Sequence, residues 1–196
     1  MTEGVYNFLN QHTAVSEDDF RLLMSKVTTR NYNKKERLTE IGEVEDRLHF
    51  ISKGLIRKFF YRDNEEVITQ IIKQGTIISS TASFFSRKPS QYILEAMEPS
   101  ETVSITYDDL ESLYGLGNTW EKIGRVITTH FLLQQEQLLM DNIRLTVRER
   151  FKKFMNENPE LIQKVPQKQL ASYLNIKQET FSRMKHLLYD RTIKSV

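Results

Sequence analysis

Hydrophobic residues recur every three or four positions at both ends of the chain, and this spacing predicts helices there. Near the N-terminus, Val5, Phe8 and Leu9 form one short apolar face within residues 1–29, a stretch that is predicted to be helical. Ser16 begins a sequence that resembles a capping box, in which a side-chain oxygen accepts from N–H groups of the first helical turn. The N-terminal part is therefore expected to be α-helical.

The middle of the chain has a shorter, partly alternating pattern that is typical of β-strands. From about Tyr32 it is rich in Ile, Val, Phe and Tyr, with interruptions at Gly54, residues 63–64, Gly75 and residues 99–100. Several short strands at this spacing predict a small β-barrel or sandwich.

A long helix is predicted for residues 118–143, where Trp120, Ile127 and Leu139 belong to an apolar stripe without an intervening proline. At 1.5 Å per residue this helix would be about 35–40 Å long. One explanation is a helix packed only against its own barrel. The favoured explanation is a dimer interface, because an apolar stripe of this length needs a second surface.

The spacing of residues 167–186 fits a helix-turn-helix. Asn175 falls at the tight turn between the two helices, a position that often needs a left-handed backbone. On the second helix, the polar residues lie on the side opposite the apolar ones. The apolar residues that would pack the two helices together are Leu170, Ala171, Leu174, Ile176, Phe181 and Met184.

The composition excludes several classes of protein. Hydrophobic residues make up 39% of the chain and charged residues 28%, which are ordinary globular values. There is no cysteine, so disulfides, thiol nucleophiles and cysteine-ligated clusters are excluded. The apolar runs are too short to span a bilayer and the N-terminus lacks a signal pattern, so a cytoplasmic protein without a membrane partner is expected.

The charge is unevenly distributed along the chain. Residues 144–196 contain 12 Lys and Arg against 5 Asp and Glu, whereas residues 1–143 contain 16 against 21. A C-terminal segment of net charge +7 on a body of net charge −5 indicates a polyanionic partner at the C-terminal end.

The segment "LASYLNIKQETFSRMKHLL" resembles the recognition region of the Crp/Fnr transcription factors, the family of cyclic-AMP receptor and fumarate–nitrate regulators. The order of the predicted elements is similar to that family over nearly the whole chain. The resemblance implies an α+β fold with an N-terminal cyclic-nucleotide-binding-like β-roll and flanking helices, a long dimerisation helix and a C-terminal helix-turn-helix domain. Only "YDRTIKSV" follows Leu188, so the usual two-stranded wing is expected to be reduced or absent.

The same resemblance implies three segments: a sensory domain at residues 1–117, the dimerisation helix at 118–143 and a DNA-binding domain at 144–196. It assigns base reading in double-stranded DNA to Gln178, Glu179, Ser182 and Arg183, whose side chains suit base edges in the major groove. A simpler interpretation is that Glu179 and Arg183 form an ion pair on a solvated helix. Candidates for phosphate contacts are Lys168, Lys177, Lys185, Arg148 and Lys152.

The β-roll departs from the pattern of relatives that bind cyclic nucleotides. When Gly75 is aligned with the family's conserved turn, Ser80 replaces a ribose-binding glutamate, and Ser90 and Gln91 replace the phosphate-binding Arg-Ser pair. Without that arginine, tight binding of cyclic AMP is not expected. The identity of the effector is left open. The alternative to an effector pocket is that these serines belong to a surface loop that binds no ligand. The candidates for an effector pocket are Gly75, Ser79, Ser80, Thr81, Ser90 and Gln91.

No other chemistry is indicated. The four histidines lack metal-binding spacing, and no local signature combines a nucleophile, a base and an oxyanion donor, so no metal, cofactor or catalytic residue is expected. The prediction is a non-enzymatic, homodimeric regulator that binds a pseudo-palindromic operator, with RNA polymerase as a further partner that the resemblance allows. The alternative is a ligand-binding or protein-interaction module whose helix-turn-helix does not read DNA.

Overall fold

The structure is a computed structural model that describes residues 2–11 and 13–193, with side-chain environments for residues 3–11 and 13–185. The chain divides into two compact units. The first comprises residues up to 60 together with 70–133, and the second comprises residues 61–69 together with the chain from residue 134 onward. The chain contains both α-helices and antiparallel β-sheets, so the predicted α+β fold is confirmed.

The first unit combines helices with two antiparallel sheets. Its helices are α1 Thr2–Asn10, α2 Glu17–Lys26, α3 Thr81–Ser86, α4 Tyr107–Tyr114 and the first part of α5 Asn118–Arg144. The strands of the roll are β1 Thr28–Tyr32, β2 Arg37–Thr39, β3 Arg47–Lys53, β4 Leu55–Arg62, β5 Glu65–Lys73, β6 Ile77–Ile78, β7 Ile93–Ala96 and β8 Ser100–Thr106. One sheet has the order β1-β8-β3-β6 and the other β2-β7-β4-β5.

The predicted helix over residues 1–29 is corrected at its C-terminal end. Helix α2 ends at Lys26, and β1 pairs with β8 from Thr28 opposite Ser104 to Tyr32 opposite Ser100. The first four residues of β1 are exposed and polar, so the strand has no apolar alternation that its sequence would reveal. Pairing with a strand about 75 positions later determines its conformation.

Two apolar clusters can be distinguished among the described residues of the first unit. The larger one joins α1, α2, α4 and α5 to the sheet β1-β8-β3-β6, and the smaller one contains Ile51, Ile56, Ile78 and Leu94. At the β3–β4 turn, Gly54 has φ +96°, and a Cβ there would lie only 2.8 Å from the Cα of Ser100. The turn therefore requires glycine both for its backbone conformation and for the close approach of β8.

Helix α5 contains 27 residues, and its length agrees with the prediction. Trp120, Ile123 and Ile127 are buried in the larger apolar cluster. Beyond Phe131 the character of the helix changes, because several large apolar side chains are exposed. They are Leu132, Leu133, Leu139 and Ile143, at 64%, 58%, 59% and 70% exposure.

The second unit is a helical bundle that also includes the end of a β-hairpin. Its helices are the rest of α5, α6 Val147–Glu157, α7 Pro159–Lys164, α8 Gln167–Tyr173 and α9 Gln178–Ile193. Thr146 and Glu149 form a capping box at the start of α6. The backbone of α9 is helical to Ile193, and residues 194–196 lie outside the described part, so the reduced or absent wing stays a prediction.

The end of the β4–β5 hairpin contacts α8 within the second unit. Asp63 and Asn64 both have positive φ, as a tight two-residue hairpin turn requires. The hydroxyl of Ser172 donates to the carbonyl oxygen of Glu66 at 2.7 Å and accepts from the N–H of Ile68 at 3.0 Å. One helix side chain thus satisfies two polar groups of a strand.

Gly54→Ala is expected to destabilise the protein more than Gly42→Ala. Both glycines have positive φ, +96° and +90°, so both variants lose the same backbone freedom. A Cβ at Gly42 meets nothing within 4 Å, whereas at Gly54 it overlaps with Ser100. Overpacking should lower the free energy of unfolding of Gly54→Ala by a further ~1–3 kcal/mol. Urea denaturation measures both variants, and equal losses would contradict the close approach.

Candidate nucleic-acid interface and effector region

The turn between α8 and α9 has the conformation that the sequence predicts. Asn175 has φ +54°, in the left-handed region. The N–H of Ile176 donates to the carbonyl oxygen of Ala171 at 3.0 Å, and the N–H of Leu174 donates to that of Leu170 at 3.0 Å. These bonds satisfy carbonyl groups at the end of α8 and set the start of α9.

Helix α9 has one buried side and one accessible side. Phe181 is fully buried and packs edge-on against Phe151 of α6, with ring centroids 5.1 Å apart. Gln178, Glu179 and Arg183 are exposed. The contact between the two aromatic rings thus orients the helix so that its polar residues face outward.

The predicted base-reading residues do not all have the same exposure. Ser182 is half-buried, unlike the other three. Within the part of the chain that the structure describes, Glu179 and Arg183 form no ion pair with each other, although they are four positions apart. The two charged side chains therefore do not pair with each other, and both are exposed.

The predicted phosphate-contacting residues lie on three helices and on one turn. Lys168 on α8 and Lys177 immediately before α9 are exposed, and Lys185 on α9 is half-buried. The further candidates, Arg148 and Lys152, are exposed on α6. Four of these five cations are therefore exposed, and the fifth, Lys185, is partly accessible to solvent.

The effector-region serines form a buried network. Ser79, Ser80 and Ser90 are each at most 2% exposed. The Oγ of Ser90 lies 2.8 Å from the Oγ of Ser80 and 2.8 Å from the carbonyl oxygen of Tyr92. The two positions that the resemblance assigns to ribose and phosphate contacts are therefore hydrogen-bonded to each other.

The other effector-pocket candidates lie outside this hydrogen-bonded pair. Thr81 begins α3 and is half-buried. Gly75 is exposed in a turn, where its N–H donates to the carbonyl oxygen of Ile51 at 2.8 Å, and Gln91 is exposed. The structure brings Ser80 and Ser90 together but does not collect the six candidates around one space.

A buried carboxylate, Glu45, lies beside the serine network, and no sequence pattern indicates that it is buried. Its carboxylate accepts from the Thr39 hydroxyl at 2.6 Å and from the N–H of Ser80 at 3.3 Å. Burial acts to raise the pKa of Glu45, but the nearby imidazole of His49, whose Nε2 lies 3.7 Å from the carboxylate, and the bonds from Thr39 and the Arg47 N–H outweigh burial and lower it. Glu45 therefore remains an anion inside the roll.

Lys58 is a second buried charge that sequence reasoning missed. It is 7% exposed, and its ammonium donates to the carbonyl oxygen of Ser79 at 3.2 Å and lies 4.5 Å from the ring centroid of Tyr92. Burial lowers its pKa to about 8, against the opposing effect of the Glu45 charge. A lysine on a strand is usually solvent-facing, so no sequence signal indicated this position.

Arg87 and His130 make contacts within the protein. Arg87 is exposed, and its guanidinium donates to the Glu45 carbonyl oxygen and to Asp46, at 2.8 and 2.9 Å. The Nε2 of His130 lies 3.3 Å from the hydroxyl of Thr76. Among the side chains that the structure describes, no three His, Asp or Glu residues are placed to hold a metal ion.

Residues 29–115 match the model of the cyclic nucleotide-binding domain family. The fold is similar to FixK2 from Bradyrhizobium japonicum, at a TM-score of 0.72 and 19% identity over 85% of this chain and 86% of that one. The c-di-GMP responsive global regulator CLP from Xanthomonas campestris has a TM-score of 0.65 at 16% identity, covering 89% and 93% of the two chains. The catabolite activator protein of Thermus thermophilus has a TM-score of 0.59 at 15% identity, covering 94% and 88%.

These comparisons confirm the resemblance that the sequence indicated. The family match assigns residues 29–115 to a cyclic-nucleotide-binding type of roll, and the solved structures share the fold over most of the chain. No curated protein sequence matches the chain significantly. No helix in the described residues is both long enough and apolar enough to cross a membrane.

The stability of the protein is expected to depend on the protonation of Lys58. Because burial lowers its pKa to about 8 from 10.5, the unfolded chain binds more protons than the folded one between these values. The free energy of unfolding therefore contains a contribution that rises with pH in this range. Lys58→Met should remove that contribution, and Lys34→Met, which changes an exposed lysine, should keep it.

Urea denaturation between about pH 7 and pH 10.5 measures this effect. Other groups also titrate in this range. The relevant quantity is therefore the slope of the free energy of unfolding against pH, compared between each variant and the wild type. Equal slopes in the wild type and Lys58→Met would contradict a buried, desolvated Lys58.

Proposed function

We propose that this protein is a transcription regulator of the Crp/Fnr type that binds specific double-stranded DNA sequences through α9. The observation that carries the proposal is the two-sided character of this helix. Phe181 anchors it in the unit, while Gln178, Glu179 and Arg183 are exposed and unpaired with one another. The fold shared with known regulators supports the same conclusion.

The proposed base readers have complementary chemistry. Arg183 donates two parallel hydrogen bonds to guanine, Glu179 accepts from the amino group of cytosine, and Gln178 pairs with adenine. Ser182 contributes a hydroxyl at the edge of the same surface. Lys168, Lys177 and Lys185 contact phosphates, which sets affinity without selecting sequence.

The regulator acts as a homodimer through α5. Leu132, Leu133, Leu139 and Ile143 are exposed on this helix, and large apolar side chains at this exposure favour burial against a second copy. Two copies present two recognition helices, so the operator is pseudo-palindromic, with half-sites about 34–36 Å apart. RNA polymerase is a further partner at such an operator.

The roll is proposed to be a sensory domain that no longer binds cyclic AMP tightly. Ser80 and Ser90 bond to each other, and an arginine does not occupy the phosphate-binding position. A phosphate placed there would meet Glu45, whose carboxylate already accepts the N–H of Ser80. The protein is proposed not to be an enzyme, and any effector of the roll belongs to a different chemical class.

The alternative function is a module whose helix-turn-helix docks another protein. The exposed cations of α6, α8 and α9 favour DNA over another protein as the partner, because DNA releases counterions from its phosphates when protein cations bind to it. Steep loss of affinity with rising salt is expected for DNA and not for a neutral protein surface.

Selection from a random pool of duplex DNA, with and without cyclic AMP, tests the proposal. The purified protein is expected to enrich an inverted repeat in both arms, because two recognition helices read equivalent half-sites. Enrichment only with cyclic AMP would contradict the altered roll. Enrichment of a single half-site, without its inverted copy, would contradict binding as a homodimer. Absence of enrichment in both arms, together with salt-insensitive binding, would favour the protein-docking alternative.

Arg183→Ala is expected to weaken binding to the selected operator by ~1–3 kcal/mol and to relax the preference at one base pair. Lys168→Ala is the matched control, since it removes an exposed cation of α8 that contacts phosphate. That variant should weaken all sequences alike and reduce the salt slope by about 1. Fluorescence anisotropy on operator and scrambled duplexes measures both effects. Unchanged affinity and preference in Arg183→Ala would contradict the proposed docking.

A further inference from the structure

A hydrophobic cavity of about 60 Å³ lies in the first unit, separate from the serine network. Its wall is built by α1, α2, α4 and α5 on one side and by β3, β6 and β8 on the other. All fourteen residues of the wall are hydrophobic, and the indole N–H of Trp120 is the one polar side-chain group among them. The cavity is thus part of the larger apolar cluster.

The shape of the lining side chains explains why the space is left open. Phe8 and Phe50 meet edge-on, with ring centroids 6.0 Å apart, and Trp120 lies in the same wall. Rigid rings cannot bend into the remaining gap as a methionine would. Branched side chains such as Val103 and Ile123 complete the wall, and they have few rotamers with which to fill the space.

The size and polarity of the cavity select its occupant. A buried water needs two to four hydrogen-bond partners, which one indole N–H does not supply, so water is disfavoured. Benzene fits an apolar cavity of about 150 Å³. At about 60 Å³ this cavity excludes an aromatic ring, and since one water occupies about 30 Å³ in the liquid, it has room for about two or three heavy atoms.

We propose that this cavity is a binding site for small, uncharged apolar molecules of two or three heavy atoms. Dissolved diatomic gases and short hydrocarbons share this chemistry. The occupant contacts Trp120, Ile123 and Ile127 on α5 and Val103 on β8, so it bridges a helix and a sheet. Binding stabilises the folded state in which these elements are packed together. The site does not depend on the proposed DNA-binding function.

Xenon is the probe for the test, because it is apolar and compact. Xenon NMR of the full chain under increasing gas pressure is expected to show a saturable shift of the bound signal. The double variant Val5→Ile and Val103→Ile adds one methylene at each of two lining positions and should weaken xenon binding at least tenfold. Val15→Ile is the matched control, because Val15 is buried in the same apolar cluster but does not line the cavity.

A shift that only rises linearly in the wild type, or saturable binding that persists unchanged in the double variant, would overturn the proposal. Far-ultraviolet circular dichroism checks that the variants fold. If the double variant does not fold, Ile123→Val serves as the second test. This variant enlarges the cavity and should strengthen xenon binding, and an unchanged affinity for xenon in Ile123→Val also counts against the site.

Two further arms distinguish the natural sources of the ligand. Dioxygen is paramagnetic and should broaden the methyl resonances of Val103 and Ile123, and propane should shift them without broadening. A response to dioxygen alone assigns the site to a dissolved gas, and a response to propane alone assigns it to a hydrocarbon. No response to either gas, with xenon also without effect, rejects the site. DNA is absent from every arm, so the result is separable from the test of DNA binding.

Discussion

The burial of one face of α5 on the sheet β1-β8-β3-β6 is the interaction on which the first unit depends. Trp120, Ile123 and Ile127 belong to the same apolar cluster as the residues of β3, β8 and the N-terminal helices. Full burial of each such side chain contributes about 1.5–3 kcal/mol. The helix continues beyond this support, where Leu132 and Leu139 are exposed, so α5 combines a face that holds its own unit with a segment whose large apolar side chains are open to solvent.

The chemistry of α9 depends on an apolar contact behind it. Phe181 is buried against Phe151, and this contact determines which side of the helix faces outward. The left-handed Asn175 sets where the helix begins. The exposure of Glu179 and Arg183 therefore depends on packing and on one backbone conformation, in addition to the polarity of the two side chains.

The interior of the roll shows how buried polar groups limit the choice of ligand. Polar atoms removed from water need partners, and Ser80 finds them in Ser90 and in the carboxylate of Glu45. Lys58 adds an ammonium to the same region and bonds to Ser79. A ligand that enters here has to replace these hydrogen bonds. A ligand whose charge these buried groups do not compensate meets a large desolvation cost.

The sequence alone determined the features that local spacing encodes. These include the long α5, the turn at Asn175, the polar side of α9 and most of the strands, because periodic burial leaves a periodic pattern. Tertiary structure decided what depends on distant partners. The exposed strand β1 exists because β8 pairs with it, and Lys58 is buried because its strand is covered on both sides. Local patterns record which side of an element is apolar, whereas the identity of the covering residue is set by contacts between positions far apart in the chain.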